Sequence, residues 1–227
     1  MTDQDQIRAL QNSVRQLEQQ VGILEDTHAI RDLQHKYGYY LDRCLYDEVV
    51  DLMSEAGKVY FFGGVFQGKA GARRLFCDRF RNKFTGGHNG PIFGLLLEHA
   101  QLQDVIHVAP DRQTAQGRFR YFLQGGRHEA AAGETSQWWE GGVYENTYIK
   151  EDGVWKFEVL SPRVVWQADY ETGWAHTKPQ YVTFFTDTFP ANPAGPDALE
   201  EPRPVLWPAT EIAPFHYPHP VTGKWVK

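Results

Sequence analysis

Apolar side chains recur at helical spacing through the first 45 residues. A narrow stripe occupies the a and d positions of about three heptads, at Ile7, Leu10, Val14, Leu17, Val21 and Leu24. So short a seam is not stable on its own. We therefore predict a helical arm over residues 1–25 that packs on a second subunit or on its own domain.

A wider apolar stripe follows without a clear break and includes tyrosines, at Ile30, Leu33, Tyr37, Tyr40, Leu41 and Leu45. Such a stripe predicts a second helix that faces a core or a cavity. A third, short helix is predicted over residues 46–55, and a longer one over 68–83. Between them, residues 58–67 are rich in β-forming side chains, which predicts a strand with a kink at its Gly-Gly pair.

The chain then changes to long strands, predicted over residues 95–108, 113–125, 136–150 and 154–168. Short turns join most of them, which favours antiparallel pairing. Helices followed by strands predict an α+β fold: a cone-shaped, curved antiparallel sheet wrapped around the N-terminal helices, over residues 26–172. An open cone of this kind encloses a deep and mostly apolar pocket.

Prolines cluster in residues 173–227, which predicts an extended tail with little regular structure. Aromatic residues recur through it, at Tyr181, Phe184, Phe185, Phe189, Trp207, Phe215, Tyr217 and Trp225. Because these rings need a surface to cover, we expect the tail to pack on the cone domain or on a neighbouring subunit.

Charge and composition exclude several kinds of partner and favour one cellular location. The net charge is −6 and no basic run stands out, so neither nucleic acid nor an anionic membrane is an expected partner. No apolar run reaches the ~18 residues that span a bilayer. The polar N-terminus lacks a signal peptide, and Cys44 and Cys77 form no motif, so we expect a cytoplasmic protein with reduced thiols.

The motifs of nucleotide-binding loops, serine hydrolases and zinc peptidases are missing, and the histidines are scattered. His216 and His219 lie among prolines, where loop packing is the expected role, and we predict neither a metal nor a cofactor. Acid–base chemistry remains. A carboxylate that binds one imidazole nitrogen fixes the tautomer and raises the basicity of the ring. Asp42 at the end of the second helix and His99 on the first long strand are the candidates.

Other polar residues extend that site. Tyr37 is a candidate donor to a developing oxygen charge, and Arg163 is a candidate partner of Asp42 or of a substrate oxyanion. Alternatives stay open at this point. His99 is also compatible with an ordinary strand histidine, Asp42 with a helix cap or surface ion pair, and Arg163 with a structural role. Aromatic residues predicted to line the pocket are Tyr40, Phe62, Tyr121, Trp139 and Tyr144.

The chain resembles the SnoaL-like family of the nuclear transport factor two-like superfamily over residues 25–170. The resemblance rests on three segments: the helix from Ile30 to Asp47, the paired strands from His99 to Ala115, and the segment from Gly142 to Lys156. Within the family it looks closest to the dehydratase branch, which includes scytalone dehydratase and bile acid 7α-dehydratase. The resemblance implies that His99 is the general base and acid, Asp42 orients it, and Tyr37 donates from its hydroxyl.

The tail is similar in texture to bacterial proteins of aromatic catabolism, including lyases that remove formaldehyde from lignin-derived diarylpropanes. The resemblance thus implies a cofactor-independent lyase that eliminates water or formaldehyde from a small hydrophobic aromatic substrate. Alternatives are an isomerase, a cyclase, an epoxide hydrolase, or a non-catalytic small subunit of a ring-hydroxylating oxygenase. The family implies a homo-oligomer, with a trimer favoured and a dimer compatible with the heptad stripe.

Overall fold

Residues 3–42 form one long helix, where the sequence predicts an arm and a second helix. The computed structural model of the protein describes residues 2–131, 136–178, 185–201, 203 and 205–226. Helix α1 (Asp3–Asp42) begins at Thr2, whose hydroxyl and backbone exchange hydrogen bonds with Asp5 in a capping box. No proline interrupts the 40 residues, so the helix continues from the arm into the domain.

Helix α2 (Tyr46–Asp51) is shorter than predicted, and strand β1 (Met53–Phe61) begins inside the predicted helix. Strand β2 (Gly64–Gln67) returns antiparallel to β1. Phe62 and Gly63 connect them, and both have positive φ angles, 45° and 79°. This is the geometry of a two-residue hairpin turn, so the predicted single kinked strand is a hairpin.

The predicted helix over residues 68–83 is present as three consecutive helical segments. They are α3 (Gly68–Arg73), a π-helical segment (Arg74–Phe80) and α4 (Arg81–Thr85). Gly86 ends α4 in the left-handed conformation, with a φ of 62°. Segments of π-helix are uncommon and occur frequently at functional sites.

Within the described part of the chain, the sheet has eight strands. The remaining strands are β3 (Leu95–Val108), β4 (Thr114–Arg127), β5 (Ser136–Glu151), β6 (Val154–Leu160), β7 (Pro162–Asp169) and β8 (Ala198–Leu199). Their order is β3-β4-β5-β6-β1-β2-β8, with β7 paired to β5. The predicted α+β cone is confirmed, but β1 and β6 pair in parallel, so the sheet is mixed instead of wholly antiparallel.

The fourth predicted strand is divided at Ser161. The Ser161 amide donates to Asn146 Oδ1 at 2.8 Å instead of continuing the strand ladder. As a result, β6 pairs with the second half of β5, and β7 pairs with its first half. This division places β7 beside a cavity that Pro162, Val164 and Gln167 help to line.

The second half of α1 packs against the concave face of the sheet, where Ile30, Leu33 and Tyr37 are buried. A buried polar cluster ties the helix to β5. Gln34 Oε1 accepts from Asn146 Nδ2 at 2.9 Å and from the Tyr148 hydroxyl at 3.0 Å. Such satisfied polar groups fix the position of the helix along the sheet.

The tail contacts the cone domain at several places. Phe185 is buried with its ring 5.6 Å from that of Phe66, and the Arg118 guanidinium lies 4.1 Å from the ring centre of Phe215. Strand β8 extends the sheet beside β2. Tyr181 and Phe184 lie outside the described residues. Among the residues that are described, no helix is both long and apolar enough to cross a bilayer.

Candidate active site

A cavity of about 530 Å³ opens between α1, the helical segments 74–84 and the concave face of the sheet. Its wall is mostly apolar, with Leu41, Leu75, Leu97, Leu123 and Leu160 among the side chains that form it. The size is within the range of small-molecule sites. The polar side chains of the wall come from α1, α2, the helical segments 74–84, β3, β4, β5 and β7, so the fold brings together residues that are far apart in the chain.

Asp42 and His99 form a hydrogen-bonded pair at this wall. Asp42 is the last residue of α1, and its Oδ1 accepts from the backbone amide of His99 at 2.7 Å and lies 2.9 Å from His99 Nδ1. The two side chains are only 10% and 12% exposed. An ionised carboxylate only accepts, so the proton of the neutral ring is on Nδ1, and Nε2 is left as a basic nitrogen.

A second carboxyl group, Glu140, lies in the same cavity and was not predicted from the sequence. Its two oxygens accept from the Tyr121 hydroxyl at 2.9 Å and from Gln167 Nε2 at 3.2 Å. Burial raises the pKa of Glu140, opposed by the charge of His99 and the Tyr121 hydrogen bond. It forms no ion pair among the described residues, which favours a protonated carboxyl group.

The strand register explains how Glu140 comes to face His99. His99 is paired with Leu123 on β4, and Leu123 is paired with Glu140 on β5, so the three residues lie in one row across the sheet. Two strand spacings put the backbones of His99 and Glu140 about 10 Å apart. Residues paired in one row point to the same face of a sheet, and both side chains line the cavity.

Three buried tyrosines also belong to the polar part of the wall. Tyr37, Tyr121 and Tyr144 are each 2–3% exposed, and the Tyr144 ring lies 5.9 Å from Tyr37 and 5.1 Å from Tyr121. Burial raises the pKa of all three, with neighbouring hydroxyl and carboxyl groups contributing for Tyr37 and Tyr121. The phenols therefore keep their protons at neutral pH and are hydrogen-bond donors.

Several of the predicted pocket residues line the cavity and two do not. Phe62, Tyr121 and Tyr144 are part of the wall. Tyr40 packs against the core and does not line the cavity, whereas the next residue, Leu41, does. Trp139 lies on the opposite face of the sheet from the cavity, stacked on Tyr170 at 5.7 Å, and its neighbour Trp138 lines the cavity instead.

Arg163 also lies away from the cavity, which corrects its predicted place beside Asp42. Its Nη1 forms an ion pair with Glu211 of the tail at 2.9 Å. Its neighbours Pro162 and Val164 line the cavity. Because successive strand side chains point to opposite faces, Arg163 is on the other side of β7. It is a contact between sheet and tail and not a group that a substrate in this cavity would meet.

Cationic side chains at the cavity come instead from the helical segments and β4, at Arg79, Lys83 and Arg127. Burial lowers the pKa of Arg79, whose guanidinium lies 4.5 Å from the ring centre of Phe185. Arg127 donates to the backbone carbonyls of Lys83 and Phe84, which joins β4 to the end of α4. These side chains give one part of the wall a positive charge.

His216 and His219 of the tail and the two cysteines do not belong to this cavity wall. Cys77 and these histidines have other partners. His216 lies between His107 at 2.9 Å and Glu145 at 3.1 Å, and His219 Nδ1 accepts from two backbone amides of its own loop. Among the described residues no group of three or more His, Cys, Asp or Glu side chains has a geometry that would hold a metal ion. Both cysteines are buried and free, and burial raises the pKa of Cys77 to about 11, so its thiol is protonated at neutral pH.

The domain that carries this cavity matches a known family. Residues 22–161 match the model of the SnoaL-like domain. The chain belongs to the SnoaL-like family. A search of curated proteins finds no relative.

Solved structures of the same fold include three from Novosphingobium. One is described as a putative scytalone dehydratase of Novosphingobium aromaticivorans, with a TM-score of 0.54 and 22% identity over 66% of this chain and 91% of that one. Another is a hexachlorocyclohexane dehydrochlorinase of Novosphingobium barchaimii, with a TM-score of 0.53 and 18% identity over 66% of this chain and 93% of that one. A third is described as a putative aromatic ring hydroxylase of Novosphingobium aromaticivorans, with a TM-score of 0.51 and 18% identity over 66% of this chain and 96% of that one. At these identities the likeness establishes the fold of this SnoaL-like protein.

Proposed function

We propose that this SnoaL-like protein is a lyase that acts on a small hydrophobic aromatic compound through acid–base catalysis by its own side chains. The observation that carries the proposal is the Asp42–His99 pair in an apolar cavity that also contains the buried carboxyl group of Glu140. A base and an acid that line one cavity are what an elimination requires.

His99 Nε2 is the proposed base. The Asp42 carboxylate holds the ring in the tautomer that leaves Nε2 free, and it stabilises the imidazolium ion that forms when the proton is taken. Because both partners are nearly buried, the attraction between them is weakly screened by water. Asp42 is thus a positioning residue, and His99 is the group that meets the substrate.

Glu140 is the proposed acid for the leaving hydroxyl group. A hydroxyl leaves readily only when it departs as water, so an acid must give it a proton as the carbon–oxygen bond breaks. Burial raises the pKa of Glu140, which favours the protonated form that a general acid needs. Tyr37 and Tyr144 are buried donors on the same wall, and they suit an oxygen on which charge develops.

Two eliminations fit this arrangement. In a dehydration, His99 takes a carbon-bound proton, the electrons form a double bond, and the hydroxyl leaves as water with a proton from Glu140. In a formaldehyde elimination, His99 takes the proton of a terminal hydroxyl, and cleavage of the adjacent carbon–carbon bond releases formaldehyde. The electrons of that bond form the alkene while a benzylic hydroxyl leaves as water. Aromatic wall residues such as Phe62 and Trp138 suit a substrate with aromatic rings in either case.

The test is a spectrophotometric assay of purified protein treated with a chelator. Hydroxylated two-ring phenols, including a 1,2-diarylpropane-1,3-diol, are mixed with the protein, and the ultraviolet rise of a conjugated alkene is followed while formaldehyde is measured separately. We expect product with the wild type, a loss of at least about 100-fold with His99→Ala, and full activity with His88→Ala, an exposed histidine outside the cavity. Full activity of folded His99→Ala protein would exclude His99 as the base.

A further inference from the structure

The first half of α1 carries an apolar stripe that the described residues of its own chain leave uncovered. The six side chains of the stripe, Ile7, Leu10, Val14, Leu17, Val21 and Leu24, are each 51–66% exposed. Exposed apolar residues that stand singly are ordinary, but a continuous row of six large ones is typical of an interaction surface. The row runs for about 27 Å along the helix.

The opposite side of the same helix is the side that contacts the domain. Gln19 Nε2 donates to the Pro110 carbonyl at 2.6 Å, and Asp26 Oδ2 accepts from Arg112 Nε at 2.6 Å. Between them Gly22 is buried, and a Cβ there would lie 2.0 Å from the Arg112 guanidinium. The β3–β4 turn therefore occupies the face behind the stripe, and the stripe is directed outward.

This orientation follows from two apolar faces on one continuous helix. At about 100° per residue, the stripe from Ile7 to Leu24 lies about 180° around the axis from the face formed by Ile30, Leu33 and Tyr37. The latter face is buried on the sheet. As long as α1 is one straight helix, its first half presents the stripe away from the domain.

The residue types of the stripe identify what covers it. Every a position is β-branched (Ile7, Val14, Val21) and every d position is leucine (Leu10, Leu17, Leu24). This combination favours a parallel coiled coil of two helices, whereas isoleucine at both positions favours three. The flanking g and e residues of two parallel copies would pair as Gln6–Gln11, Ser13–Glu18 and Gln20–Glu25. No like charges meet in that arrangement.

We infer that two copies of this chain associate through a parallel two-stranded coiled coil formed by the stripes of their α1 helices. A helix end of about 20 residues in solvent is marginal by itself, so the partner helix also stabilises the helical state of the arm. The pairing leaves the cavity of each copy free, because α1 faces the cavity only from Tyr37 onward.

Light scattering of the full-length protein after size-exclusion chromatography tests the stoichiometry. We expect a mass twice the 26.1 kDa of one chain. The double substitution Leu10→Asp/Leu17→Asp should give the mass of one chain. Asn12→Asp/Gln16→Asp, which adds the same charge outside the stripe, should leave the dimer intact. A wild type of one or three chains, or an unchanged mass for the Leu10→Asp/Leu17→Asp protein, would overturn the inference.

A disulfide test settles the direction of the helices. Ile7→Cys places a thiol near one end of the seam, so parallel helices bring two such thiols together and antiparallel helices keep them at opposite ends. We expect a covalent dimer after mild oxidation of Ile7→Cys and none for the wild type, whose Cys44 and Cys77 are buried. The absence of a covalent dimer in a protein that is dimeric by mass would overturn the parallel arrangement. Near-UV circular dichroism reports whether each variant keeps its folded domain.

Discussion

Replacement of Glu140 by glutamine tests the proposed acid while the rest of the cavity stays the same. The glutamine would keep the size and shape of the side chain and can still accept from the Tyr121 hydroxyl, but it has no proton to give to a leaving group. General acid catalysis contributes about 10²–10⁴-fold to a rate. We therefore expect kcat to fall by that factor in Glu140→Gln protein, which corresponds to about 2.7–5.4 kcal/mol of transition-state stabilisation.

The pH dependence has a defined sign. Burial raises the pKa of Glu140, and the protonated form is the active one, so wild-type activity should fall as the pH rises through that raised pKa. In Glu140→Gln protein this alkaline decline should disappear from the remaining activity. The matched control is Glu98→Gln, because Glu98 is next to His99 in the chain but pairs with Arg43 at 41% exposure outside the cavity.

Stability gives an independent measurement on the same variant. Because the folded pKa is raised above the unfolded value, the contribution of this carboxyl group to stability is complete below the unfolded pKa and is lost as the pH rises through the folded pKa. Each unit by which the pKa is raised corresponds to about 1.4 kcal/mol. Glu140→Gln should therefore gain stability relative to the wild type in urea unfolding at alkaline pH, and the gain should shrink toward about pH 5. Unchanged kcat with the alkaline decline intact would refute the assignment of Glu140 as the acid.

Two further predictions concern the frame around the cavity. Gly142→Ala places a Cβ 2.1 Å from the Arg163 carbonyl and 2.7 Å from the Tyr121 ring, so urea unfolding should show a loss of about 1–3 kcal/mol; a loss below about 0.5 kcal/mol would contradict the close packing. Asp26 accepts from Arg112, Lys150 and Trp155, whose hydrogen bonds outweigh the cost of burial and lower its pKa from 3.8 to about 2. Asp26→Asn should therefore cost about 2 kcal/mol at pH 7, and the difference from the wild type should fade as the pH falls through 3.8 toward 2; a pH-independent difference would count against the lowered pKa.

Much of the fold was predictable because it depends on local pattern. Helical spacing predicted α1 and the helical segments after β2, and the long strands β3, β4 and β5 were predicted close to their observed bounds. The resemblance placed the chain in the family that the domain model matches. The predictions that were wrong concern short elements, where a turn or a break divides a predicted strand. The Phe62-Gly63 turn and the break at Ser161 depend on the bonds that neighbouring strands make, which local spacing does not contain.

In the candidate site, the position of Glu140 was predictable from strand alternation. Tyr144 was predicted to face the pocket, and residues 138, 140 and 142 share its side of β5 by strand alternation. That rule alone would have placed Trp138 and Glu140 in the cavity and Trp139 outside it. The catalytic roles of Tyr37, Asp42 and His99 stay predictions, but the structure brings the three side chains to one wall.

The sequence by itself determined which residues form α1 and that its two halves have apolar faces on opposite sides, because side-chain direction on a helix follows from spacing alone. Because side chains alternate along a strand, the sequence also determined which residues of a strand share a face, once the face of one residue in that strand is known. Only the tertiary structure decided that the end of α1 meets β3, so that Asp42 binds His99. It also decided that β4 pairs with both β3 and β5, which puts Glu140 of β5 in the same row as His99. Those contacts join residues that are far apart in the chain, and strand pairing and sheet curvature, which act between segments, bring them together.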